Sequence, residues 1–350
     1  MALTSRVWFG AAVVALLSTG SASAEPITQL SHRDRLYDVA ATPEGHLLVV
    51  GHPGLLLRSR DGGQTFEKVR AGQVDEALFG VSFNRKGQGA VVGRSGYVLT
   101  TQDRGNTWHK GVVTLGEEKP AMFAVSVLEN GTIVAVGEFG SIARSEDQGK
   151  TWTRSPFSSK VAPPAKGQKL DPACQLAGEA ESENDDVVPE SRLTDVAFFD
   201  DKVGLITAEF GLILRTEDGG RSFKRQNSCA DRMLYSVSVI GPRRALAVGA
   251  EGTAVETLDG GLTWAKRETG SQEHLFGVFA NERHAIVLGA AGVVLTREGD
   301  GPLKAAVSDV HGWLTSAWLD ATGKGVTVGG RGYLRTTQDG GKTRQRVFGE

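Results

Sequence analysis

The stretch Gly137-Glu138-Phe139-Gly140-Ser141-Ile142-Ala143-Arg144-Ser145-Glu146-Asp147-Gln148-Gly149-Lys150-Thr151-Trp152 sets the plan of the chain. Gly137 and Gly140 bracket a tight turn, Ser141 to Arg144 read as a short strand, and Ser145-x-Asp147-x-Gly149-x-Thr151-Trp152 reads as a second turn closed by an aromatic. The residue types suit that geometry. A carboxylate at 147 can accept the backbone amides ahead of it, glycine at 149 tolerates a positive φ, and Trp152 can cap the sheet edge. Such an Asp-box is a folding device and not in itself a site.

The plan recurs seven times. Apolar strands open successive units at Leu36, Leu78, Met122, Leu193, Leu234, Leu275 and Leu314, spaced by 42, 44, 71, 41, 41 and 39 residues. Six units then reach a Gly-x-x-Gly turn, and the fourth has Ala208 to Gly211 there. Five intact boxes follow, around Asp61, Asp103, Asp147, Asp218 and Asp259. The sixth is worn, with Glu298 for the Asp, Asp300 for the Gly and Leu303 for the aromatic; the seventh keeps Asp339 but ends in Arg344. These six aspartates read as turn residues. Each unit accommodates four strands, and runs such as Leu47-Leu48-Val49-Val50 are continuously apolar, as in sheets covered on both faces. The period and strand count predict an all-β fold, a seven-bladed β-propeller of four-stranded blades over residues 25–350. The sequence leaves open whether Pro26–Leu30 adds a strand to close blade seven.

The long gap marks an insertion at 155–190, rich in Ser, Pro, Lys and Ala and then acidic from Glu179 to Glu190. It reads as a loop on the face of the Gly-x-x-Gly turns. Residues 1–24 combine Arg6, the apolar run Val7 to Leu17 and Ala22-Ser23-Ala24, the pattern of a secretory signal peptide cleaved before Glu25. The expected location is extracytoplasmic, periplasmic or its equivalent. Without Arg6 the balance is 38 basic to 41 acidic residues, which argues against nucleic acid or an anionic membrane as the main partner.

Two cysteines in an exported chain are expected to form one disulfide. Cys174 lies in the link between blades three and four, and Cys229 in the link between four and five, so both emerge beside blade four. The bond would pin the insertion over the Gly-x-x-Gly face.

The turn, strand and box pattern resembles the BNR/Asp-box propellers, and in its spacing is most similar to the photosystem II assembly and stability factor family, over about residues 36 to 347. That resemblance implies an exported seven-bladed propeller without catalysis or cofactor, acting as an assembly factor on a membrane-protein subunit or another envelope protein. The turns in the matching positions are mixed in charge. His52, Arg94, Glu138, Glu209, Glu251 and Arg331 are the candidate partner-binding residues, since loop tips on a rigid scaffold commonly carry function.

The alternative is a sialidase-like glycoside hydrolase or a carbohydrate-binding propeller, in which an arginine cluster, an acid/base carboxylate and a Tyr nucleophile converge. The Arg-Ile-Pro motif of that family is missing from the first blade. Tyr37 and Tyr235 occupy a repeated inner-strand position, and Arg58, Arg144 and Arg215 repeat just before boxes near the far rim, so all read as structural. No catalytic residue is assigned. The seven histidines show no His-x-x-x-His spacing and the cysteines no Cys-x-x-Cys, so no metal site is expected.

Overall fold

The computed structural model describes residues 24–69, 71, 75–162, 174 and 190–349; the signal-peptide reading and most of the insertion lie outside them. Seven sheets, each with four antiparallel strands, are arranged in a ring, so the protein is the seven-bladed all-β propeller the repeats predict. Blade one shows the pattern, with strands Arg35–Ala41, Leu47–His52, Leu55–Ser59 and Phe66–Val69 running from the axis outward. The inner strands are Arg35–Ala41, Leu78–Phe83, Met122–Val127, Leu193–Phe198, Leu234–Val239, Leu275–Ala280 and Leu314–Leu319, and each packs on the next around the circle.

The core is divided among the joints of this ring. Its apolar clusters each draw on two adjacent blades: Val134, Ile142, Ile206 and Leu214 join blades three and four, and Leu47, Val49, Val326 and Leu334 join blades one and seven. Second strands such as Ile133–Gly137 are buried along their whole length because neighbours cover both faces.

The boxes set the spacing of these joints. Asp147 accepts the amides of Lys150 (3.1 Å) and Thr151 (2.9 Å) and the Thr151 hydroxyl (2.6 Å), and the Thr151 bonds hold its carboxyl down at about 2. The Ser145 hydroxyl donates to Asp147 (2.8 Å) and accepts the Gly149 amide (2.9 Å). Gly149 sits at φ +82°, and a Cβ there would lie 2.8 Å from Thr100 Cγ2 of the preceding blade. The aromatic then closes the turn, the Trp152 indole donating to Gly149 O at 3.2 Å. In blade seven the Arg344 guanidinium makes the same bond to Gly341 O at 2.8 Å, so a planar N–H donor stands in for the indole.

The arginines before the boxes are inter-blade staples. Arg144 donates to Gly219 O (2.9 Å) and Arg215 to Gly260 O (2.6 Å), each in the box turn of the following blade. Arg58 reaches Asn106 of the blade-two box at 3.3 Å.

One point the sequence leaves open is decided by the structure, and two features depart from the sequence expectations. The N-terminal strand Ala24–Ile27 pairs with Phe66–Val69 at the outer edge of blade one, not with blade seven, whose four strands come from residues 314–348. The ring is therefore closed by packing and side-chain bonds, including Ser316 to Asp38 (2.7 Å) and Thr315 to Leu36 O (3.0 Å). The start of the insertion is a strand, not a loop: Phe157–Val161 pairs in parallel with Phe223–Gln226 and covers the outer edge of blade four. An uncovered edge would leave a row of unpaired N–H and C=O groups, which these added strands satisfy in both blades. Finally, strand register puts Arg297 where blade five has the box residue Thr257 and Leu303 opposite Trp264, so the sixth turn is one residue shorter and no box forms.

Cys174 and Cys229 form the disulfide, with Cα atoms 4.5 Å apart. Both are buried in the cluster joining blades four and five, and the Cys174 sulfur lies 3.5 Å from Trp264 O. Phe157–Val161 lies on the outer edge of blade four, while the disulfide sits beside the blade-four turn, since the carbonyl of Ala230, next to Cys229, abuts Gly211.

Two stability predictions follow from this packing. Gly149→Ala is expected to lower stability by about 2–4 kcal/mol in urea unfolding, combining a left-handed backbone with overpacking against blade two. A loss under about 1 kcal/mol would mean that the turn gives way without pressing on its neighbour. The disulfide spans a separation of 55 residues. Its reduction is expected to cost about 4 kcal/mol in the chain-entropy account, read from paired unfolding curves with and without reductant.

Candidate functional site: the aromatic mouth of the ring

Every inner strand carries a β-bulge one residue after its repeated Leu or Met, where the register slips between Leu36 and Asp38 and at the equivalent place in the other six blades. A bulge frees one residue from the ladder and re-aims its side chain. The freed residues are Tyr37, Phe79, Phe123, Thr194, Tyr235, Phe276 and Thr315, all half-buried. Tyr37 contacts Phe79 (5.4 Å between centroids) and Trp313 (6.5 Å), and Phe79 contacts Phe123 (5.6 Å), so one arc of rings runs from blade seven to blade three. Tyr235, Phe276 and His274 make a second, with Tyr235 5.3 Å from Phe276. In blade four the Thr194 hydroxyl instead bonds Leu234 O of the next blade at 2.6 Å.

The Gly-x-x-Gly turns stand around this mouth and are held from two sides. In blade three the Glu138 amide bonds Ala121 O of its own blade (3.0 Å), while the Gly140 amide bonds Ser191 O ahead of blade four (2.9 Å). Gly137 has no room for a Cβ, which would strike Ala121 O. The second turn residue is left-handed in six blades: Ser95, Phe139, Phe210, Glu251, Ala291 and Arg331.

The six candidate residues divide accordingly. Glu251 and Arg331 stand at the exposed left-handed tips, and Arg94 is exposed one position earlier. Glu138 and Glu209 are half-buried and turn inward, accepting the Ala121 (3.1 Å) and Arg192 (3.0 Å) amides ahead of the inner strands. These two cap strands, a use of the carboxylate that the charge pattern does not reveal. Glu251 pairs with Arg232 at 3.1 Å, and His52 Nδ1 is buried without a hydrogen-bond partner.

The residues that the sequence reading passed over are Phe139 and Phe210. Each holds a bulky side chain at a tip with φ +52° and +58°, and they are 66% and 67% exposed on adjacent blades. A left-handed bulky residue is strained, and the backbone bonds of the turn hold it in that form with its ring out in solvent. Their signal was available, since both sit in the turn position that elsewhere holds Ser, Glu, Ala or Arg.

Inside the mouth, the inner-strand residue just after the bulge is small in five blades and aspartate in two. Asp38 accepts the amides of Val39 (2.8 Å) and Val81 (2.9 Å) and the Ser316 hydroxyl, and so ties blades seven, one and two together. Asp195 does the same for blades four and five through Val196, Val237 and Ser236. Burial pushes the Asp38 carboxyl up to about 7 against the pull of its donors, and the Asp195 charge adds to the rise; burial also raises Asp195. Among the described residues no group of His, Cys, Asp and Glu is arranged to hold a metal ion.

Residues 69–177 match the family described as photosynthesis system II assembly factor YCF48. The fold agrees. YCF48 from Cyanidioschyzon merolae superposes with a TM-score of 0.66 at 17% identity, covering 91% of this chain and 99% of its own. A structure of YCF48 bound to D1 peptide gives 0.65 at 18%, covering 89% and 95%. The likeness to photosystem II assembly factor propellers holds in sequence and in fold. The ring is also similar to that of a GH74 xyloglucanase from Xanthomonas campestris, at 12% identity and a TM-score of 0.63, over 93% of this chain and 56% of the enzyme. The search of curated proteins gives no match.

The Asp38 carboxyl yields a pH prediction. Its folded value of about 7 lies above the ordinary 3.8, so the stability it contributes is full below pH 3.8 and is lost as pH rises through 7. Measured against Asp38→Asn, the wild type should therefore lose about 2 kcal/mol between pH 4 and pH 8, water in the ring mouth moderating the full shift. A pH-independent difference would show that the carboxyl titrates normally.

Proposed function

We propose that this protein is an exported, non-catalytic propeller that binds a membrane-protein subunit through its Gly-x-x-Gly face and assists the assembly of an envelope complex. The observation that carries this reading is the exposed, strained pair Phe139 and Phe210 beside the aromatic arcs. Aromatic side chains concentrate binding energy at protein interfaces, and turns fixed to two blades present them at little further entropic cost. The cations Arg94 and Arg331 stand at other tips of the same face. The D1 peptide carried by YCF48 is the precedent for a membrane-protein segment as the ligand of such a ring. The signal-like residues 1–24 support export, and none of the described helices is long and apolar enough to cross a membrane. The non-catalytic reading is supported by the work the carboxylates already do, taking turn amides in the boxes and strand amides in the mouth.

A photo-crosslinking residue placed at Ser95, on the same face, tests this in cells. The expected product is a covalent adduct with an integral membrane protein, and Phe139→Ser combined with Phe210→Ser should reduce its yield at least about fivefold while leaving thermal stability unchanged or raised. An adduct of equal yield in the double variant would sink the proposal, as would turnover of glycosides by the purified protein.

A further inference from the structure

The joint between blades five and six differs from the others in its charges. Where blades one, three and four place Arg58, Arg144 and Arg215 to staple the next box, blade five places Glu256, and blade six offers Arg297 in place of the box hydroxyl. The side chain of Glu256 is 2% exposed and that of Arg297 4%. Two further arginines converge on the same carboxylate: Arg244 donates to Oε1 at 2.7 Å and Arg267 to Oε2 at 2.6 Å, with Arg297 at 3.1 Å. Losing the box and shortening the turn leaves a cleft of about 480 Å³ beside them.

The lining sets three guanidinium groups against three carboxylates, but on the inner side Arg244 and Arg297 face the single carboxylate of Glu256, with Arg267 reaching it from the more exposed side. Arg297 Nε is buried there with no hydrogen-bond partner. A buried donor of this kind is costly unless an acceptor reaches it. The remaining acidic groups stand at the wet rim, where charge is screened. Glu268 is exposed, and Asp300, 85% exposed between Gly299 and Gly301, extends inward to pair with Arg244. Asp300 thus occupies part of the cleft as a carboxylate on a short glycine-flanked turn. The walls add the exposed Leu258 and the half-buried Leu303, and no aromatic ring on which a sugar would stack.

We propose that this cleft is a second binding site, taking a carboxylate of an acidic peptide whose neighbouring apolar side chain rests on Leu258 and Leu303. The incoming carboxylate replaces Asp300 over the arginines and supplies an acceptor for Arg297 Nε, whose Nη1 is already bonded to Glu256. The site lies on the opposite side of blade five from the Gly-x-x-Gly turn, and stands or falls independently of the function proposed above.

Calorimetric titration of the whole protein with acetyl-Leu-Glu-Leu-Glu-Leu-amide, and with the matching glutamine peptide, tests it. The acidic peptide should bind and the glutamine peptide should not. Asp300→Asn, which removes the resident competitor, should tighten binding by about threefold to tenfold, and Arg267→Gln should weaken it by about tenfold. Both positions are solvent-accessible, so both variants should fold. Tightening on removal of Asp300 is an effect that a purely structural cluster would not produce. No saturable binding to wild type or Asp300→Asn at about 5 mM peptide, equal binding of the two peptides, or an affinity for acetate alone as high as for the peptide would overturn the proposal.

Discussion

A sheet that is apolar on both faces cannot stand at the end of a row. Each blade here has strands such as Ile133–Gly137 and Gly325–Gly329, buried along their whole length, so each needs a neighbour on either side. A closed circle satisfies all of them at once. The geometry of the mouth and the placing of the turn tips around it derive from this two-sided burial, because it fixes where each inner strand begins relative to the next.

Much of that arrangement was legible in the sequence. The spacing of Leu36, Leu78, Met122 and their equivalents gave the blade count, and unbroken apolar runs showed that both faces were covered. The disulfide followed from the topology of two links beside one blade. What periodicity could not supply was the destination of individual polar side chains. Glu138 and Arg331 look alike as turn charges, yet the first bends back to cap a strand while the second projects into solvent. Asp38 and Asp195 lie two residues after the repeated Leu36 and Leu193, and the repeat does not mark them, since their role depends on amides some forty residues away in the next blade.

The N-terminal segment, which the sequence left open, and the start of the insertion, which it read as a loop, share one physical determinant: the outermost strand of a blade, whose unpaired edge is the strongest local demand for a partner. Ala24–Ile27 and Phe157–Val161 answer that demand in blades one and four. The sixth box failed for a different reason: a one-residue deletion shifts the frame, so matching letters at Glu298 and Asp300 do not occupy matching places.

Closure without a strand shared between blades seven and one has a mechanical consequence. A ring sealed by a mixed sheet has one joint reinforced by a ladder of backbone bonds. In this ring the seal is a joint of the same kind as the rest, held by interlocked side chains and a few bonds such as Ser316 to Asp38. Tension applied to the circle is then carried at every joint by packed side chains, with no one joint reinforced by a backbone ladder.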